Sequence, residues 1–104
     1  MSVFINKKWM TLDGEPAHYC EGCRRLHLIS VTKPNQYSNA QWTFNNDYEK
    51  PTFTPSINIV GHCHYFITDG NIMYCGDSTH SLAGLTVPLP NFPNWILEDE
   101  DETY

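Results

Sequence analysis

The chain has 104 residues, a net charge of −6 and only six Lys and Arg. A chain of this length makes one domain with a thin core, burying about 65% of its unfolded surface. So few cations argue against a nucleic-acid-binding surface, which draws on many phosphate-neutralising side chains. No apolar run approaches the roughly 18 residues that a membrane span needs.

The charge is uneven. Glu98-Asp-Glu-Asp-Glu102 holds five of the twelve acids, and without them the body stands at −1. The expected organisation is therefore a single β-rich domain over 1–97 and an acidic C-terminal tail over 98–104. The stretch from Met1 to Lys8 lacks a basic segment followed by an apolar one, so a cytoplasmic location is expected. Structural disulfides are disfavoured there. The four Cys (20, 23, 63, 75) and five His (18, 27, 62, 64, 80) then read as metal chemistry rather than as a disulfide framework.

In chain order, Val3–Trp9 reads as a first strand and Asp13-Gly-Glu-Pro16 as a turn. Ala17–Arg25 carries a Cys knuckle, and Leu26–Thr32 is a β-rich run. Lys33–Asn39 is a loop, and Gln41–Phe44 alternates as a half-buried strand does. Pro51-Thr-Phe-Thr-Pro55 loses two ladder donors, so it reads as an extended segment seating Phe53 on the core rather than as a central strand. Cys63–Thr68 and Asn71–Cys75 flank Asp69-Gly70, a type I′ hairpin signal. Asp77 as N-cap and Gly84 as C′ residue predict one or two helical turns between them. Leu85–Leu89 is a last strand, placed at an edge by Pro88, and Trp95–Leu97 packs back on the domain.

Zinc favours thiolate and imidazole ligands in a closed tetrahedron. Cys20-Glu-Gly-Cys23 has the spacing that brings two sulfurs to one ion, and Gly22 suits the tight turn. A second cluster lies at His62-Cys63-His64, followed by His80. Strand alternation puts Cys63 and His64 on opposite faces, so one ion takes only one of them unless the strand bulges. His80 falls near a helix start, which disfavours imidazolium and leaves the neutral ligand form. The expected ligands are Cys20, Cys23, Cys63 and His80, with His64 and His27 in reserve and Asp77 as a helix cap or a supporting group around the metal. Cys75 reads as an inert core thiol, and His18 and His62 as surface or satisfied polar residues. The fold expected is thus mainly antiparallel, zinc-stabilised and zinc-ribbon-like, with small sheets, hairpins and a short helix.

Several motifs stand in order: Trp42-Thr-Phe-Asn45, Pro51-Thr-Phe-Thr-Pro-Ser56, Cys63-His-Tyr-Phe66, Asp69-Gly-Asn-Ile72 and Asp77-Ser-Thr-His-Ser-Leu-Ala-Gly84. With Cys20, Cys23 and His27 matching a C-x-x-C-x3-H element, the chain over about 18–90 resembles a family of small phage and prophage proteins. Some of its members carry an ammonia monooxygenase label, which no feature of this chain supports. Related domains occur in bacterial ubiquitin-like conjugation operons. The resemblance implies a mobile-element origin and a metal site, but no reaction. Many relatives carry a Cys where this chain has Ser78; if that Cys ligates metal in them, the site here differs.

The leading expectation is a non-enzymatic zinc-binding accessory protein that modulates a host or phage protein. A metal-dependent hydrolase needs an open zinc position and a base such as Asp77. A nucleic-acid-binding zinc ribbon needs cations this chain lacks.

Overall fold

The computed structural model describes residues 2–59 and 63–97; His62 and the acidic tail lie outside the described residues. Short alternating segments separated by Gly, Asn and Pro give two antiparallel meanders. In the first, β1 (Ser2–Phe4), β2 (Met10–Leu12), β3 (Glu15–Cys20) and β4 (Arg25–Leu28) lie in sequence order. In the second, β5 (Thr43–Phe44), β6 (Phe53–Ile59), β7 (Cys63–Thr68), β8 (Asn71–Tyr74) and β9 (Thr86–Pro88) do the same.

Several local expectations are met. Asp69 and Gly70 both take positive φ, 50° and 81°, as a type I′ turn requires. β9, with Pro88, is an edge strand. Others are corrected. The first strand stops at Phe4, because the Asn6 side chain accepts from the backbone N–H groups of Lys8 (2.8 Å) and Trp9 (2.9 Å) and folds the chain into a turn. The Pro51–Pro55 segment enters β6, which lies inside the second sheet between β5 and β7. A register shift between Phe53 and Ile57 absorbs the donor that Pro55 lacks.

Residues 77–84 form turns rather than a helix. Both ends are tied to strands. The Ser78 hydroxyl donates to the His64 carbonyl (3.0 Å) and accepts from the His64 N–H (3.1 Å), while the Gly84 N–H donates to the Tyr74 carbonyl at 3.0 Å. A helical turn lies instead at 94–97, after Pro93.

The core lies between the sheets. Trp9, Cys20 and Ile29 meet Phe53, Ile57, Tyr65, Ile67 and Tyr74, and Trp9 stacks on Phe53 with ring centroids 5.4 Å apart. The opposite face of the first sheet is covered by the C-terminal segment, where Met10 and Ala17 pack with Phe92 and Ile96. One polar link crosses the core. His18 and His27 are cross-strand partners on β3 and β4, and the Tyr65 hydroxyl on β7 meets His18 Nε2 at 2.8 Å and His27 Nδ1 at 3.0 Å. Burial, and then the neighbouring His27, push His18 down to about 3, so its ring stays neutral. One hydroxyl serves both rings by donating to one nitrogen and accepting from the other.

Tyr65→Phe strips both buried imidazoles of that partner. It should cost about 1–3 kcal/mol of unfolding free energy in denaturant titrations; an unchanged midpoint would show that the link carries no stability.

Candidate active site and metal centre

Cys20 ends β3, Cys23 sits in the β3–β4 turn, Cys63 opens β7 and His80 lies in the turns after β8. The structure brings these four together, with one ligand atom from each within 4.8 Å of the others, so the cluster could hold a metal ion. Cys63 Sγ lies 3.2 Å from His80 Nε2, and the Cys23 N–H points at Cys20 Sγ at 3.3 Å. Three sulfurs and one imidazole nitrogen suit a closed tetrahedral site. Without a cation, the Cys63 thiol and then the Tyr74 hydroxyl (3.2 Å away) stabilise the Cys20 thiolate and bring Cys20 down to about 4, against its burial. Cys63 moves the other way, because it keeps the proton it shares with Cys20 and is itself buried. Burial, then the charge on Cys20, also raise Cys23. A cation replaces those shared protons and neutralises the charge they leave.

Gly22 has a different role from the one its sequence context suggests. The left-handed residue of the knuckle is Arg24, at φ 57°. At Gly22 a Cβ would collide with the His80 imidazole, so glycine is what lets the ring reach the sulfurs.

The two reserve ligands stand elsewhere. His27 turns Nδ1 to Tyr65, and its buried Nε2 has no partner among the described residues. His64 follows Cys63 and therefore faces the outer side of the sheet. Its cross-strand partner there is Asn58, which puts Ser56 on the same face one pleat away. The Ser56 hydroxyl meets His64 Nε2 at 2.9 Å, and His64 Nδ1 lies 3.2 Å from both Asp77 carboxylate oxygens. Ser56 is further held by the Trp42 indole N–H, which donates to its carbonyl at 3.1 Å. Ser78 clamps the His64 backbone from the other side and takes no part in the four-ligand cluster. The arrangement is a hydroxyl, an imidazole and a carboxylate in one hydrogen-bonded series, the groups that nucleophilic catalysis with an oriented base requires.

The family model described as "Bacterial ubiquitination-like system serine protease (BubE)" matches residues 3–75. The chain belongs to the BubE family. The match includes Cys20, Cys23, Ser56, Cys63 and His64; Asp77 and His80 lie just beyond its end. No curated protein and no solved structure matches the chain.

Sequence reasoning passed over Ser56 and read Asp77 as a cap or a support for the metal. Only half of the signal is local to the sequence. The alternation that separates Cys63 from His64 sends His64 to a face of its own, and the Thr-Pro-Ser56 stretch on the paired strand offers a hydroxyl to it.

For this BubE-family chain, Gly22→Ala should push His80 off the cluster and weaken metal binding by about 10–100-fold, the usual effect of disturbing a ligand's support. Competition with a chelating dye measures this; native affinity in the variant would mean that His80 is not a ligand.

Proposed function

We propose that this chain is a serine hydrolase of a bacterial ubiquitination-like system. Ser56 acts as nucleophile, His64 as general base and acid, and Asp77 as the group that orients His64. One observation carries the reading: the continuous hydrogen-bonded series from the Ser56 hydroxyl through both nitrogens of His64 to the Asp77 carboxylate. The family's description as a serine protease supports it independently.

As Ser56 Oγ attacks a substrate carbonyl, His64 Nε2 takes the hydroxyl proton. The C–N or C–O bond of the substrate breaks, and His64 returns the proton to the leaving group. Water then attacks the acyl-serine with the same ring as base, releasing the acid and restoring Ser56. Asp77 keeps the Nδ1 proton in place, so that Nε2 is the free acceptor. Its side chain is 67% exposed, so its charge is screened and it acts chiefly by orienting the ring.

A ubiquitination-like system joins a small protein through its C-terminal carbonyl to an amine or hydroxyl. The substrate class proposed is that acyl bond, in a precursor or in a conjugate. The metal proposed at Cys20, Cys23, Cys63 and His80 is a single structural zinc ion, which would pin the β3–β4 knuckle against β7. Four protein ligands leave it no open position for water, so hydrolysis falls to Ser56.

Hydrolysis of an activated C-terminal ester of a ubiquitin-like protein tests the reading. Ser56→Ala should lower the rate by about a thousandfold or more at unchanged metal content and circular dichroism. A variant as active as the native chain would overturn the assignment.

A further inference from the structure

A fourth group stands beside the triad and has no part in its chemistry. Cys75 follows β8, and its N–H donates to the His64 carbonyl at 2.8 Å, which fixes it next to the histidine. The Cys75 sulfur, a His64 nitrogen and an Asp77 oxygen all lie within 4.8 Å of one another. The sequence reads Cys75 as a core thiol, yet it is only half-buried and its sulfur lies beside the exposed Asp77 carboxylate. Burial, and then the Asp77 charge, raise this thiol, so it stays protonated until a cation arrives.

Thiolate, imidazole and carboxylate together form a borderline-soft donor set. Zinc–ligand bonds of about 2.0–2.3 Å place tetrahedral ligand atoms roughly 3.3–3.8 Å apart. Small rotations of three partly exposed side chains close the difference. The set has three protein ligands, leaves a position for water and sits at the surface, whereas the Cys20 cluster is inside and has four.

We propose that His64, Cys75 and Asp77 form a second, inhibitory metal site that takes free zinc from solution. Its effect on activity rests on the hydrolase reading above; its existence does not. The ion would replace the hydrogen bond between His64 Nδ1 and Asp77. Coordination through Nδ1 leaves the ring's one proton on Nε2, the nitrogen that must accept from Ser56. The Cys75 proton goes to solvent. The nucleophile then has no base, and the enzyme is silent until zinc is withdrawn.

Calorimetric titration of zinc into protein already holding one equivalent should give a second, weaker binding event. Cys75→Ala should weaken that event by at least about tenfold, leave the first equivalent in place and leave ester hydrolysis without added zinc unchanged. Zinc that inhibits the native chain should need at least about tenfold higher concentration to inhibit the variant. A second equivalent bound equally well by Cys75→Ala would overturn the site. Binding that depends on Cys75 in a protein with no hydrolytic activity would uphold the site and remove the hydrolase reading instead.

Discussion

Alternation along β7 sets two chemistries back to back. Cys63 points into the junction between the sheets, and His64, one residue on, points out. Neither can change face without moving the other, because the side-chain period of a strand is two. The four-ligand cluster joins the β3–β4 knuckle of the first sheet to β7 and the turns after β8 in the second. Whatever holds Cys63 in that cluster therefore also fixes the height and direction of the His64 ring. The same turns carry Asp77 to the His64 ring, the buried Ser78 to the His64 backbone and His80 to Cys63. In a domain with a thin core, a metal held by that cluster would fix the residues on the outer face of β7 together with those on its inner one.

The division of labour has an energetic logic. Thiols crowded in a buried cluster share protons and charge awkwardly, as the opposite displacements of Cys20 and Cys63 indicate. A bound cation removes that conflict, and structural zinc in small domains contributes on the order of 10 kcal/mol to folding. On the outer face the requirements are reversed. The proposed nucleophile and base must meet substrate, and Ser56, His64 and Asp77 are partly or fully exposed, with hydrogen bonds from Trp42 and Ser78 placing Ser56 and His64.

Much of this was legible in the sequence where one local rule decides. The Asp69-Gly70 hairpin, the edge position of Pro88 and the incompatibility of Cys63 with His64 all follow from backbone geometry. What was not legible depended on tertiary ties. The helix read from Asp77 and Gly84 yields because Ser78 and Gly84 bond to neighbouring strands, and propensity over so few residues cannot compete with those bonds. Pro55 enters an internal strand because the register shift removes the need for its missing donor. Ser56 stayed hidden for the same reason: its place one pleat from His64 exists only once β6 and β7 are paired in this register.

In the proposed enzyme a metal-held β7 assembles the Ser56–His64–Asp77 series. The rate at which a fluorophosphonate labels Ser56 while zinc is returned to metal-stripped protein, with the adduct located by peptide mass spectrometry, tests this dependence. Labelling at Ser56 should rise in proportion to the first equivalent of zinc. Equal labelling of stripped and loaded protein, or an adduct on another residue, would contradict it.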